Sequence, residues 1–433
     1  MRIAWIGPMP NNDGGATGVG RQILQELSRQ GVEVECFFPG KESALPEVLV
    51  KAENLKIYSQ PSSWKWNRWY SRNNFLAFIT GQIANLRCEM KLVETLVSLH
   101  KAKPYDLVYQ FSHIELHALK RYKKQLPPII LHPSVHAAGE LKWHRKETHL
   151  SKLSEPFFKR AAVRILLIAR AIVQKRHIKE ADYVLSLSRD FAEEVSKDYQ
   201  LQPNKVSYIV PNPIDIERYS PKPGIGKYGA DDRITFLFVS RIAVRKGVEM
   251  MVELSHRLTD ISDKVRILIV GNHSLWSDYR GLLGQMNTNV ATYVGQLSGG
   301  EMDNLYNSVD ALIQPSHYEP FGLTVGEALA CGVPVIASDK VGAAEQVNRI
   351  CCRVFPAGDM DALEVNVRNL LNDLSSPKRK EIAELARSEA IRLFSNPVIV
   401  TGLMTVLSEI IDAQTNPKYK ENPVTKPKVA VGG

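Results

Sequence analysis

Two glutamates, Glu319 and Glu327, stand eight positions apart in the stretch EPFGLTVGEALACGVPVIAS (319–338), around the start of an expected helix. An ionised carboxylate only accepts hydrogen bonds and hydroxyls donate them, so the pair suits sugar or ribose hydroxyls. Between the two, Gly322 to Val325 would present the unpaired N–H groups and positive dipole end of a helix to an anion. Spacing alone decides nothing, because two glutamates so placed also arise by chance and Glu327 could be an ordinary first-turn residue.

Three further groups could act with them. In VSRIAVRKG, Arg241 follows an expected strand and Lys246 precedes a glycine and a helix, where two cations could neutralise a diphosphate. The loop NNDGGATGVGRQ, with Gly15, Gly18 and Gly20, follows the first expected strand, and its helix is expected to begin near Gly18 or Val19. Glycines there let backbone N–H groups approach a phosphate or sugar, although such turns are as often merely tight. His132 ends an apolar strand and His136 lies just beyond; either could meet a substrate hydroxyl, yet of His132, His136, His144 and His149 at most one is expected to do so. None of these histidines comes with a zinc ligand set, and Asp359 and Asp361 in PAGDMDAL read as a helix start rather than a metal site. No metal and no cofactor is expected.

These groups need a scaffold that presents strand ends and helix N-termini to one space. Short apolar runs alternate with amphipathic stretches: 2–7, 32–38, 106–111, 129–131 and 183–188, then 234–241, 265–272, 290–296, 311–316 and 334–338. That alternation predicts two doubly wound α/β domains with mainly parallel sheets, which hold ligands beyond the carboxyl ends of their strands. The proline- and glycine-rich segment 210–232 marks the linker. The expected division is 1–214, 215–395, a C-terminal helix 396–412 returning to the first domain, and a disordered tail 413–433.

Composition bounds the rest. A chain of 433 residues with 44% hydrophobic and 23% charged residues fits two globular domains, and a net charge of +9 favours an anionic partner. Five cysteines without C-x-x-C spacing argue against a disulfide framework. No secretory signal and no uninterrupted apolar run of about 18 residues is seen, so a cytoplasmic protein is expected.

Together the motifs resemble the family-four retaining glycosyltransferases of the GT-B fold. The 319–338 stretch is similar to the family's E-x7-E element, VSRIAVRKG to its phosphate-binding element, and KVSYIVPNPIDIERYSP and LSLSRDFAEEV to its segments before the second domain. The resemblance implies that Arg241 and Lys246 hold a donor diphosphate, Glu327 the ribose, and Glu319 with the N–H groups of Phe321, Gly322 and Leu323 the transferred sugar, Thr324 lying beside them. His132 would border the reacting sugar, and the glycine loop would sit near phosphate and acceptor, through either Gly14-Gly15 or Gly18 and Gly20. The chain departs from the family at Asn212-Pro213 and at Val341-Gly342-Ala343-Ala344-Glu345, where double glycine is usual.

The implied partners are a nucleotide sugar and a glycan or lipid-linked acceptor. The tryptophan-rich segment 61–78 and the basic amphipathic stretch 157–179 suit an anionic membrane surface, here the inner face, although an amphipathic helix is more often a domain's outer helix. A catalytically inactive scaffold is the alternative, disfavoured because both glutamates and both cations are intact; no nucleic-acid motif is seen.

Overall fold

The computed structural model describes residues 1–11, 14–41, 45–64, 68, 74–151, 156–202, 205–229, 231–273, 279–297, 299–415 and 427–430. The first half of the chain forms β1 (Arg2–Ile6), β2 (Glu33–Pro39), β3 (Leu55–Gln60), β4 (Leu107–Ser112), β5 (Ile129–Pro133), β6 (Tyr183–Ser186) and β7 (Val206–Ile209). Its helices are α1 (Gly15–Arg29), α2 (Glu47–Val50), α3 (Asn74–Ala102), α4 (His117–Tyr122), α5 (Ala137–Lys146), α6 (Thr148–Ser151), α7 (Phe157–Glu180) and α8 (Arg189–Tyr199). The second half forms β8 (Ile234–Val239), β9 (Val265–Val270), β10 (Ala291–Gly295), β11 (Ala311–Gln314), β12 (Val335–Ser338) and β13 (Cys352–Phe355), with α9 (Val248–Arg257), α10 (Met302–Ser308), α11 (Leu323–Ala330), α12 (Met360–Leu374) and α13 (Lys378–Phe394). Helix α14 (Asn396–Thr415) and the short β14 (Lys428–Val429) follow.

Two parallel sheets result, in the orders β14-β7-β6-β5-β4-β1-β2-β3 and β10-β9-β8-β11-β12-β13. Helices cover both faces of each, which is why β4, β8, β9, β11 and β12 are buried along their whole length and read as mainly apolar runs. The ten expected runs all coincide with strands. Strands β3, β7, β13 and β14 were not among them: β3, β13 and β14 are edge strands, and LKIYSQ and CRVF carry half-exposed polar residues that dilute the apolar signal.

The chain crosses between the two halves twice, side by side. Ile214 N–H donates to Phe394 O at 2.7 Å, and Ile214 bridges Ser395. Beyond that hinge α14 packs Ile399, Leu403 and Leu407 into the core that also holds Val19, Ile23 and Leu24 of α1. By length and composition alone Asn396–Gln414 is apolar enough to cross a membrane, as a core helix of this kind also is. The expected disordered tail needs correction in part: α14 extends to Thr415, and residues 428–429 pair in parallel with Tyr208 and Ile209 of β7, adding an edge strand. The described cysteines are all buried and unpaired.

Candidate functional site

Strand β8 ends at Val239, and the chain turns through Arg241 and a short 3-10 turn, Val244–Lys246, before α9. Gly247 makes that turn possible: it has φ +80°, and a Cβ there would lie 2.3 Å from Pro315 O. The turn leaves Arg241 exposed and buries Lys246, whose ammonium pairs with the carboxylate of Glu319. Burial and the nearby Arg245 and Arg241 charges push the Lys246 pKa well down, and an anion against it favours the charged form. Glu319 supplies that anion here. The two loops are fastened further by Arg245 O, which accepts from His317 N at 2.9 Å.

Three residues after Glu319, Gly322 opens α11 with φ +97°, in a space where a Cβ would sit 2.9 Å from Val341 Cγ1. Among the described residues the N–H groups of Phe321, Gly322, Leu323 and Thr324 make no hydrogen bond, and together they form an anion-receptive end. The N–H of Val325, expected to be free as well, is not: it donates to Gly322 O at 3.1 Å. One turn on, Glu327 accepts from Tyr306 Oη at 2.8 Å and from the Tyr219 hydroxyl. Burial raises its pKa against the opposing pull of those bonds and of Arg218.

Glu327 shares a narrow cleft of about 30 Å³ with Arg218, Leu323 and, from the other domain, Gly14, Gly15 and Gly18. Helix α1 therefore starts at Gly15, not at Gly18 or Val19, since Gly14 takes the cap position. Nothing within 4 Å would meet a Cβ on Gly14 or Gly15, so the space above them is open. Gly20 is different: it lies under Phe111, 3.5 Å from where its Cβ would be, and turns toward the core instead of the cleft. Thr324 faces β11, its hydroxyl donating to Gln314 Oε1 at 3.2 Å.

Both histidine expectations are corrected. His132 is fully buried; its Nε2–H donates to Val210 O at 3.0 Å and its Nδ1 accepts from Tyr109 Oη at 2.6 Å, leaving no nitrogen for a ligand. Burial holds its pKa down at about 4, so it is a neutral core residue. His136 is also buried, with Nε2 donating to Asp198 Oδ2 and Nδ1 against Tyr318 Oη, both at 2.8 Å. Because Tyr318 belongs to the second domain, His136 ties the domains together.

The loop 341–345 has a comparable role. Its N–H groups are used inside the protein, Gly342 donating to Glu319 O and Ala343 to Phe321 O, while Glu345 accepts from Arg189 N and Asp190 N of α8 at 3.0 and 2.9 Å. Sequence reasoning missed Arg218, Tyr219 and Tyr306. Arg218 carried a signal, as the single cation in the linker stretch NPIDIERY; the tyrosines reach Glu327 through the fold alone. Among the described residues no group of three or more histidine, cysteine or acidic side chains is placed to hold a metal. Residues 65–67 and 69–73 of the tryptophan-rich segment lie outside the described residues.

Two doubly wound domains facing across such a cleft define a GT-B type transferase. Residues 13–218 match the model of Glycosyltransferase Family 4 and residues 225–389 that of Glycosyl transferases group 1, and the chain belongs to this glycosyltransferase family. Among its relatives, a D-inositol 3-phosphate glycosyltransferase of Actinosynnema mirum is 26% identical over 356 residues, covering 75% of this chain and 76% of that one. The fold is similar to that of sucrose-phosphate synthase from Thermosynechococcus elongatus, with a TM-score of 0.70 at 19% identity over 95% of this chain and all of that one. It is also similar to Anabaena HepE in complex with UDP, with a TM-score of 0.62 at 17% identity over 94% of this chain and 100% of that chain.

Proposed function

We propose that this glycosyltransferase moves a hexose from a UDP- or GDP-linked sugar to a glycan or lipid-linked acceptor, with retention of configuration and without a metal. The observation that carries the reading is one continuous surface: Lys246 and Glu319, the free N–H groups of α11, and Glu327. In it, Arg241 and Lys246 take the diphosphate, Glu327 the ribose, and Glu319 with the N–H groups of Phe321 to Leu323 the hexose. Donor binding then replaces the Lys246–Glu319 contact by a lysine–phosphate contact and frees the carboxylate for sugar hydroxyls.

In the transfer the bond between the anomeric carbon and the diphosphate oxygen breaks and a bond to an acceptor oxygen forms. The acceptor's proton leaves with the nucleoside diphosphate. Negative charge builds on the departing diphosphate, where Arg241, Lys246 and the helix N–H groups are already oriented to stabilise it. Proton NMR of the transferred sugar tests this directly: the donor's anomeric configuration is expected in the product, at an undiminished rate in EDTA. An inverted product, or a reaction abolished by EDTA, contradicts it.

Peripheral contact with an anionic membrane is part of the same proposal. Helix α7 leaves Phe157, Phe158, Ile165 and Ile172 exposed, at 87%, 76%, 68% and 51%, beside Lys159 and Arg176. Its opposite side buries Leu167, Gln174 and Ile178, as an outer helix of a doubly wound domain does. Such a stripe suits the headgroup boundary of a bilayer. Co-sedimentation with vesicles containing phosphatidylglycerol is expected, reduced by Phe158→Asp with Ile165→Asp; no sedimentation of the unaltered protein removes the membrane from the account.

A further inference from the structure

A second and larger space lies in the N-terminal domain. A cavity of about 550 Å³ opens beyond the carboxyl ends of β1, β2 and β4, enclosed by α3, α4 and α7. Its apolar walls include Leu92, Leu119, Leu166 and Val173, and two carboxylates enter it, Glu89 from α3 and Glu115 from the turn before α4. At the carboxyl ends of the same strands, the loop after β1 carries Gly14 and Gly15 to the donor cleft.

The charges in this cavity are unevenly matched. Arg170, the arginine of its lining, is spent on Glu115: Nε and Nη2 donate to Glu115 Oε1 at 3.1 and 2.9 Å, and Gln174 Nε2 adds a third bond at 2.9 Å. The Glu89 carboxylate makes no hydrogen bond or ion pair among the described residues. Burial, with the nearby Glu115 charge, lifts its pKa to about 7. Two histidines, His113 and His117, line the same space; burial lowers the pKa of His113, which is not a ready cation there.

We infer that this cavity receives the acceptor and selects an uncharged, hydroxyl-bearing group joined to an apolar portion, rejecting acceptors that carry a phosphate. The inference rests on the transferase reading above. A phosphate monoester entering here would face two acidic side chains with, among the described residues, no unpaired arginine to receive it, and its desolvation would be poorly compensated. A neutral polyol would instead donate hydroxyls to Glu89 and Glu115, with its apolar part against Leu92, Leu119, Leu166 and Val173. Ala169 is both exposed on α7 and part of the cavity wall, so an apolar chain has a way in along the face that carries Ile165 and Ile172.

The probes are octyl glucoside and octyl mannoside against glucose 6-phosphate and inositol 3-phosphate, each titrated calorimetrically in the presence of the nucleoside diphosphate that stabilises the protein. Saturable binding of an octyl glycoside, at least roughly tenfold tighter than either phosphate, is expected. Glu89→Lys is expected to reverse that order, and Ala169→Trp, an exposed position that tolerates a large side chain, to weaken the glycoside while the nucleotide's thermal shift persists. Tighter binding of a sugar phosphate to the unaltered protein, saturable binding by neither class, or indifference to both substitutions overturns the inference. Absence of any nucleotide shift would strike the transferase reading itself, so the two failures are distinguishable.

Discussion

Lys246→Ala is expected to lower the rate of sugar transfer by roughly 10²- to 10³-fold, the loss seen when one preorganised group that meets developing charge is removed. The lysine is 9% exposed, whereas Arg241 in the same loop is exposed and can be hydrated. Burial and two neighbouring arginines disfavour the charged lysine, and an anion against it opposes that. A diphosphate that gains charge as the glycosidic bond breaks strengthens that contact in the transition state more than in the ground state. The substitution therefore acts on kcat more than on KM. It also strands the Glu319 carboxylate, and the fold is expected to lose stability, because removing one partner of a buried pair leaves an uncompensated charge. The double variant Lys246→Ala with Glu319→Gln separates the two effects: urea denaturation should recover toward the unaltered protein while turnover does not. Full turnover in Lys246→Ala would show that another group carries the leaving-group charge.

Glu327→Gln is expected to raise the donor KM by roughly 10- to 100-fold with a smaller change in kcat, since hydrogen bonds to a charged group contribute about 1.5–3 kcal/mol each. The carboxylate is held by Tyr306 and Tyr219, whose hydroxyls orient it toward the cleft beside Gly14 and Gly15. A neutral amide keeps the shape and keeps one acceptor, so the loss reports on charge rather than on packing. A pH dependence follows from the same environment. Burial raises the Glu327 pKa, so this carboxylate protonates at a higher pH than an exposed glutamate as the solution is acidified. Donor KM should accordingly rise on acidification earlier than ordinary carboxylate titration predicts, and that rise should vanish in Glu327→Gln. An unchanged KM in the variant would remove the ribose from this residue.

The legibility of these features in the sequence follows the distance over which each is determined. Strands such as ITFLFV and VRILIV are buried throughout and mainly apolar because helices cover both faces, so they are visible locally. The cap at Asp359 was equally local, its carboxylate accepting from Ala362 N at 2.9 Å. The start of α1 was misplaced because Gly14 caps it without a side chain. Residue types at Arg241, Lys246, Glu319 and Glu327 announced their chemistry, but the contact between Lys246 and Glu319 depends on how β8 and β11 sit side by side. His132 and His136 show the opposite case. Each stands at or just past the end of β5, where a cleft residue is expected, yet Tyr109 and Val210 close over one and Tyr318 and Asp198 over the other. Chain position placed them correctly along the strand and could not say what lies above it. The cavity proposed for the acceptor was the least legible, since its walls draw on three helices that meet only in the fold.

The account stands on a donor site made by Lys246, α11 and Glu327, and the most direct measurement is the thermal midpoint of the purified protein with UDP, GDP, ADP and their sugars, in EDTA. A ligand that binds the folded state alone must raise that midpoint. The account predicts a saturable rise with one nucleoside diphosphate and its sugars, much reduced in Lys246→Ala and in Glu327→Gln. A midpoint indifferent to all of them, or a rise that both substitutions leave intact, would contradict it.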